Sequence, residues 1–364
     1  MIFRRRRTPE WVIEPFIQKE NGSYYNPLTD QYLRAYEEGF DPVGGIWNGR
    51  MVMEDLPPAL LERLHRQGWV VPPGPDLAHR FRLMYVSLEA SSWCNQACYF
   101  CPVSIEPRPR EIMDMDFYAG IVSQLTAYRE TLRAVFMANY NEPTAEKAFL
   151  DRFRLLRQHG LPVALNTNAT GLTPERVAEM IRLGGLVYLS VNLSTLDSDR
   201  YARQRSQPHL PIVLSHLDRM KDQVLAELME IAVLGDGGPV HREDYDAIRA
   251  YFKGTNFNVR FFYAMDRAGN IDMGLKAKPD QRPLAGCRII GSRPVQHLHI
   301  TSRGTCVLCC QDYHHRYVAG DLRQQKVEEV LAGPLLARFR RWSYGMEASP
   351  DDFICKKCVF ALRR

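Results

Sequence analysis

Apolar and polar positions change rhythm twice along this chain, and the three stretches so defined predict different architectures. In the first, residues 1–82, the runs Val12–Gln18 and Ser23–Tyr25 meet around Asn21-Gly22, a pair that tolerates positive φ, and predict a short hairpin. Leu60, Leu61 and Leu64 follow Pro57-Pro58 at helical spacing, and Gly68 ends that helix. Trp69-Val70-Val71 is a short strand, and Pro72-Pro73-Gly74-Pro75 closes the stretch as a linker.

From residue 83 strand-like runs alternate with helical ones. The runs are Leu83–Leu88, Ala134–Met137, Val163–Asn166, Leu186–Val191, Met229–Leu234 and Val259–Ala264. Between them lie the helical stretches Asp116–Arg129, Ala145–His159, Pro174–Leu183, His209–Leu225 and the shorter Asp244–Phe252. Such alternation implies a parallel sheet with right-handed crossovers. A closed eight-unit barrel needs roughly 250 residues, so 83–270 predicts a partial (β/α)6 barrel within an α/β fold. The rhythm then stops, and 271–364 reads as a small loop-rich module. The expected organisation is an N-terminal α+β extension (1–82), the barrel (83–270) and a tail held by a metal site, because its own core is small.

Composition narrows the class. The 364 residues are 45% apolar with a net charge of +5, ordinary for a globular protein. No apolar run reaches the ~18 residues of a membrane span. Arg4–Arg7 is a basic run with no apolar segment after it, so it makes no signal peptide and reads as a solvated terminus. Aromatics interleaved with basic residues, as a single-strand nucleic-acid groove requires, are not evident; neither nucleic acid nor membrane is expected as a partner, and a cytoplasmic location is. The nine cysteines change the picture most. They are odd in number and clustered, which fits metal-bound thiolates rather than a disulfide framework.

Cys94, Cys98 and Cys101 form a C-x3-C-x2-C motif just after the first barrel strand, on the loop face where parallel α/β barrels place their chemistry. Three thiolates at this spacing can hold three irons of a cubane cluster and leave the fourth iron open to the amine and carboxylate of a small molecule. Zinc would want four ligands and paired knuckles. Buried structural cysteines would be apolar filler.

With this motif, and with Phe100 before its third cysteine, the chain resembles the radical S-adenosylmethionine (SAM) superfamily over residues 83–360. The resemblance implies a SAM-binding [4Fe–4S] cluster on Cys94, Cys98 and Cys101, with Phe100 against the adenine. It implies that Asn141-Glu142-Pro143, where the family usually has Gly-Glu-Pro, binds the methionine amine, Glu142 through a charge-assisted bond. Asn168 ends the third strand as in many members. Ser190 and Asn192 are similar to ribose-contacting residues, and Leu234-Gly235 to the backbone that meets adenine.

The second set is Cys287, Cys306, Cys309, Cys310, Cys355 and Cys358. Its first cysteine, Gly304-x4-Cys309 step and closing C-x2-C resemble the auxiliary-cluster modules called SPASM and twitch. Six cysteines are too few for the two clusters of a full SPASM module, so the resemblance implies one auxiliary [4Fe–4S] cluster on Cys287, Cys309, Cys355 and Cys358, with a structural zinc as the alternative. Cys306 and Cys310 are left over, packed or serving as hydrogen-atom donors to a substrate radical. His297, His299, His314 and His315 lie near them in sequence and are ordinary histidines or proton-transfer groups.

The resemblance implies reductive cleavage of SAM to a 5′-deoxyadenosyl radical that abstracts a substrate hydrogen atom. A one-electron donor such as flavodoxin or ferredoxin is implied as a partner. Residues 1–82 loosely resemble the N-terminal part of radical enzymes that modify ribosomally made peptides, and a hairpin plus helix can bind a leader peptide by strand addition. A peptide maturase performing oxidation, cross-linking or epimerisation is therefore the first expectation. A dehydrogenase or epimerase acting on a sugar, aminocyclitol or nucleotide is the second. An iron–sulfur electron carrier is the third, and it would need no open iron.

Overall fold

A computed structural model describes residues 10–272, 280 and 282–364; the basic run Arg4–Arg7 lies outside the described residues. The chain packs as two units. One takes the described residues within Met1–Arg82, Lys278–Gln296 and Leu331–Arg364, and the other those within Leu83–Ala277 and His297–Val330.

The second unit is built on a nine-stranded sheet. Its strands are β1 (Tyr85–Leu88), β2 (Ala134–Phe136), β3 (Val163–Thr167), β4 (Leu186–Asn192), β5 (Leu228–Gly235) and β6 (Phe257–Tyr263), then β7 (His297–Ile300), β8 (Thr305–Val307) and β9 (Val318–Asp321). Their spatial order is β6-β5-β4-β3-β2-β1-β7-β8-β9. The six predicted strands thus lie side by side in chain order, all parallel. Helices occupy the crossovers, among them Met115–Leu125, Phe149–Gln158, Pro174–Leu183, Leu210–Met220 and Pro239–Tyr251. Asp114 caps the first of these through bonds to the Asp116 and Phe117 amides, and Thr173 caps Pro174–Leu183.

Register assigns the faces. Val86, Leu88, Val135, Leu165, Leu189 and Ile231 are all buried apolar residues, and pairing places them on one face. Right-handed crossovers put the helices over that same face. The opposite, inner face carries Tyr85, Ser87, Phe136, Tyr188, Ser190 and Glu230, a mostly polar set. A closed barrel fills its interior with branched aliphatics; this partial barrel keeps a polar lining.

The small C-terminal module holds short strands beside its loops. His297–Ile300 pairs parallel to β1, β8 and β9 add antiparallel strands beyond it, and Leu331–Arg364 belongs to the other unit. Short strands of three or four residues carry too little periodicity to be read as strands.

In the first unit the hairpin is tighter and later than predicted. Gln18–Glu20 pairs with Ser23–Asn26 across Asn21-Gly22, both at positive φ (47° and 79°), the two-residue turn that suits strand twist. Gln31–Leu33 adds a third strand. Val12–Ile13 instead pairs with Val70–Val71. The predicted helix is Pro58–Arg66, and Phe40–Trp47, not foreseen, precedes it. Ile17, Tyr24, Leu33, Val43, Leu64 and Trp69 close over one another as the core.

What gathers the three chain segments of this unit is Arg340, fully buried on the helix Pro334–Ser343. Its guanidinium donates to the carbonyls of Pro294 (2.9 Å), Leu331 (2.8 Å), Ala78 (3.2 Å) and His79 (3.3 Å). Burial lowers its pKa to about 9, so it remains charged at neutral pH. Arg340→Leu leaves these carbonyls without their donor, and the expected loss is about 3 kcal/mol of stability, read as a lower denaturant midpoint with early proteolysis at the C-terminal segment.

Candidate active site

The loop carrying Cys94, Cys98 and Cys101 follows β1 and crosses the C-terminal rim of the sheet. The three thiols are close enough that Cys98 adds to the raised pKa of both Cys94 and Cys101. Burial pushes Cys94 up to about 12, with the Glu142 charge adding to it, and raises Cys101, with Cys98 adding. A cation bound among them would relieve that cost, since thiolates are stabilised by positive charge.

Glu142 follows β2 and is fully buried. One carboxylate oxygen accepts from the Thr144 amide (3.0 Å), the Thr144 hydroxyl (2.6 Å) and the Thr167 hydroxyl (2.7 Å). The other accepts from the Asn168 amide at 2.6 Å. Desolvation nevertheless outweighs these bonds and raises its pKa. The second oxygen keeps acceptor capacity for a further donor. The Glu142 amide donates to the Trp93 carbonyl (3.1 Å), which ties this loop to the cysteine loop. Pro143 begins the turn after it. Asn141 faces the same rim, donating to the Ser91 hydroxyl at 3.5 Å. Asn168 reaches the Asn95 side chain at 2.9 Å and the Cys94 sulfur at 3.9 Å.

Phe100 packs with Cys98 and Ala264, and Cys101 and Leu234 join them. Gly235 ends β5 where no side chain fits: an added Cβ would stand 2.6 Å from the His241 ring. The Ala264 amide donates to its carbonyl at 2.7 Å. Ser190 faces inward and donates to Glu230 at 3.2 Å, beside Tyr188 at 2.9 Å.

Sequence reasoning missed Arg205, at the end of the helix Ser198–Arg205. It is buried. It donates to the Asn192 side chain and to the Ser194 hydroxyl (3.0 Å), approaches the Cys98 sulfur at 3.6 Å, and lies over the Phe100 ring at 5.5 Å. Among the described residues its Nε has no hydrogen-bond partner. A lone arginine in a polar helix carries no signal in sequence; only the fold brings it to the cysteine loop.

Sequence reasoning also passed over Glu89, one residue beyond β1. It is fully buried and accepts from Arg108 (2.8 Å) and the Tyr140 amide (3.0 Å). Arg108 also donates to His315 at 2.9 Å.

The remaining cysteines separate. Cys306 lies on β8 opposite Ile300, which sets it on the helix-covered face, and it is fully buried. Burial raises its pKa. Cys310 offers its carbonyl to the Tyr140 hydroxyl, and the Tyr140 environment includes Cys309, Cys310 and Cys101. Cys309 therefore belongs to the unit of the nine-stranded sheet, whereas Cys287, Cys355 and Cys358 belong to the other. Within that other unit, Cys358 and Cys287 both bear on the Cys355 thiol. Among the described residues no three His, Cys, Asp or Glu side chains converge on a single-ion site. His297 stacks on Tyr85 at 4.6 Å, and His299 meets the Ser87 hydroxyl at 3.2 Å. His314 meets the Asn270 carbonyl at 3.1 Å.

Residues 88–247 match the family model of the radical SAM superfamily, and residues 287–359 match that of the iron–sulfur cluster-binding SPASM domain. The two matches together span more than half of the chain, which belongs to the radical SAM superfamily and carries a SPASM module. A [4Fe–4S] cluster, SAM and auxiliary iron–sulfur binding come with that membership.

The tungsten-containing aldehyde ferredoxin oxidoreductase cofactor-modifying protein of Pyrococcus furiosus is 30% identical over 112 residues; the match spans 30% of this chain and 31% of that protein's length. Among solved structures, SuiB of Streptococcus suis bound to its precursor peptide SuiA superimposes with a TM-score of 0.57 at 12% identity, covering 91% of this chain and 90% of that one. BtrN in complex with AdoMet and 2-DOIA does so with a TM-score of 0.50 at 18% identity, covering 76% of this chain and 93% of that one. At such identities the likeness is one of fold. Among the described residues no helix is long and apolar enough to cross a membrane.

The His315 environment yields a pH prediction. Burial, then Arg108, lowers its pKa from 6.5 to about 4. The unfolded chain therefore takes up a proton near pH 6.5 that the native ring refuses, so stability is intact above about pH 6.5 and falls towards pH 4. In His315→Gln that contribution is gone. The unfolding midpoint of the apoprotein should drop less between pH 7 and about pH 4.5 than it does with His315.

Proposed function

We infer that this radical SAM enzyme modifies a peptide, with the N-terminal unit as its docking element. The observation that carries this reading is the three-stranded sheet of Gln18–Glu20, Ser23–Asn26 and Gln31–Leu33. Its last strand has a neighbour on one side alone among the described residues. A strand edge of this kind accepts an extended peptide through main-chain bonds. Support comes from the coverage of the SuiB fold, which at 91% of this chain extends into residues before 83, in a protein solved with a precursor peptide.

In this reading Cys94, Cys98 and Cys101 hold the SAM-binding cluster. Bound, the reduced cluster supplies one electron for cleavage of SAM, whose adenosyl part then takes a substrate hydrogen atom. The chain's own groups orient the SAM. The free capacity of Glu142, with Asn141 and Pro143 shaping its loop, accepts the methionine ammonium. Arg205, buried with Nε free, meets the carboxylate. Ser190 and Asn192 serve the ribose. Phe100, Leu234 and the Gly235 backbone enclose the adenine, and Asn168 steadies the cysteine loop. Cys287, Cys355 and Cys358 serve the auxiliary cluster. A hydrogen-donor role falls to Cys310 rather than Cys306, whose face is covered by helices. Flavodoxin or ferredoxin serves as electron donor, and oxidation, cross-linking or epimerisation remain the outcomes to separate. The polar inner face also suits a small sugar-like substrate, the second reading.

The test uses anaerobically reconstituted full chain with SAM, dithionite and the precursor peptide encoded beside its gene. 5′-Deoxyadenosine and a mass change in the peptide are expected, and neither from Cys98→Ala. Tyr32→Lys places a charge on the open strand, half-exposed in this structure; it should weaken peptide binding roughly tenfold and leave peptide-free 5′-deoxyadenosine formation unchanged. Turnover of an aminocyclitol or nucleotide sugar, with no peptide bound, would replace the maturase by the second reading.

A further inference from the structure

We propose that Gln18 is a positioning residue for the auxiliary cluster: its side-chain amide clamps the Cys287 peptide group, so the N-terminal hairpin forms part of that cluster's seat. This rests on Cys287 as a cluster ligand, and on neither the peptide reading nor the strand edge that serves it.

Gln18 is fully buried on the first hairpin strand. Its Nε2 donates to the Cys287 carbonyl at 3.0 Å, and its Oε1 accepts from the Cys287 amide at 3.3 Å. One side chain thus occupies both hydrogen-bonding groups of the cysteine backbone, as a neighbouring strand would. The same Nε2 also donates to the Glu20 carboxylate and lies 3.3 Å from the Gly291 carbonyl.

A second observation points the same way. Gly286, just before the cysteine, sits at φ +119°, and an added Cβ would stand 2.5 Å from Gln18 Oε1. The backbone here is shaped to let the glutamine in. The glutamine is held in turn. Tyr344 donates its hydroxyl to Oε1 at 3.1 Å and shares a 2.6 Å bond with the Ser292 hydroxyl. Phe16 packs on the Tyr344 ring, with centroids 4.8 Å apart.

Cys287 is fixed on its other edge by the strand that follows Cys358. Cys287 is register partner to Ala361, and the Arg288 amide donates to the Phe360 carbonyl at 3.0 Å. With the backbone held on both edges, little besides the side-chain rotamer remains for the sulfur to search. Groups that orient a ligand in this way govern how tightly a metal centre is kept. Gln18 acts through Cys287 and touches no reacting atom.

The experiment uses the full chain carrying Cys94→Ala, Cys98→Ala and Cys101→Ala, so that the auxiliary cluster alone is loaded. Iron release to a chelator and the electron paramagnetic resonance spectrum of the reduced cluster are the readouts. Gln18→Leu should lose auxiliary iron about ten- to a hundredfold more readily and alter the spectrum. Tyr344→Phe, which removes one bond that holds the glutamine and leaves both Cys287 bonds available, should lose iron more readily than the parent but less readily than Gln18→Leu. Gln18→Glu keeps an acceptor for the Cys287 amide but sets a carboxylate against the Cys287 carbonyl and the Glu20 carboxylate; it should lose iron at least as readily as Gln18→Leu, and it serves if the leucine variant does not fold. Parent-like iron retention and spectrum in Gln18→Leu, or in Gln18→Glu where that is the one that folds, overturns the proposal. Cys287→Ala, run alongside, should lose the auxiliary cluster outright; full retention there would overturn the ligand assignment itself and the clamp with it.

Discussion

Parallel strands cannot be joined by tight turns, and from this constraint most of the second unit follows. Each crossover needs a dozen residues or more, and its handedness sends every helix to the same face. Six strands in spatial sequence order therefore deliver six loops to one rim. Cys94, Glu142, Asn168, Ser194 and Gly235 are far apart in sequence and meet because each follows, or ends, a strand of the same sheet. The inner face is largely released from packing duty because most of the apolar strand residues face outward to the helices.

Gathering polar loops at a rim creates a second problem, which is buried charge. A desolvated carboxylate costs several kcal/mol unless its lone pairs are filled. Glu142 fills most of its own with two hydroxyls and two amides from two loops, whereas Glu89 takes Arg108 and the Tyr140 amide on one oxygen and leaves the other without a hydrogen-bond partner among the described residues. Each carboxylate fastens neighbouring loops to one another, so the bonds that offset its burial also set the rim's geometry. Arg205 does the same with opposite charge, tying Asn192 and Ser194 to the cysteine loop. Its unfilled Nε, and the spare oxygen of Glu142, are where this bonding is incomplete, and a zwitterion such as methionine has the two charges to complete it.

The parts legible in sequence were those with a long period or a fixed spacing. The strands from Leu186 and Leu228 and the helix Pro174–Leu183 announce themselves through five or more patterned residues, a capping Thr173 and Pro174 at the helix start. The three cysteines before Pro102 were legible because their spacing is chemistry, not packing. Phe40–Trp47 was not, since its glycines and Pro42 obscure a helical stripe. The strands after Ile300 were too short to show alternation. Arg205, Glu89 and Gln18 were hidden for a different reason. Each is an ordinary residue type whose meaning lies in a partner distant in sequence, 269 residues away in the case of Gln18 and Cys287. Gly286 was the one local trace of that pairing, and a glycine alone does not say what approaches it.

The same long-range bonding bears on the N-terminal segment. Viewed as an appendage, residues 10–82 would carry their own core and contribute only a docking edge. Their hydrophobic cluster does close by itself around Trp69 and Leu64, but Phe16 packs with Val295 and Tyr344, Gln296 donates to the Tyr25 hydroxyl at 2.7 Å and to the Pro27 carbonyl at 2.8 Å, and Arg340 clasps the carbonyls of Ala78 and His79. The hydrogen-bonded partners among these are polar groups, and removing one side of each leaves the other unsatisfied at about 1–3 kcal/mol apiece. The losses would sum to a large part of the 5–15 kcal/mol that holds a domain folded. The segment and the tail are thus one folding unit, and any function given to the hairpin is exercised by the same unit that carries Cys287, Cys355 and Cys358.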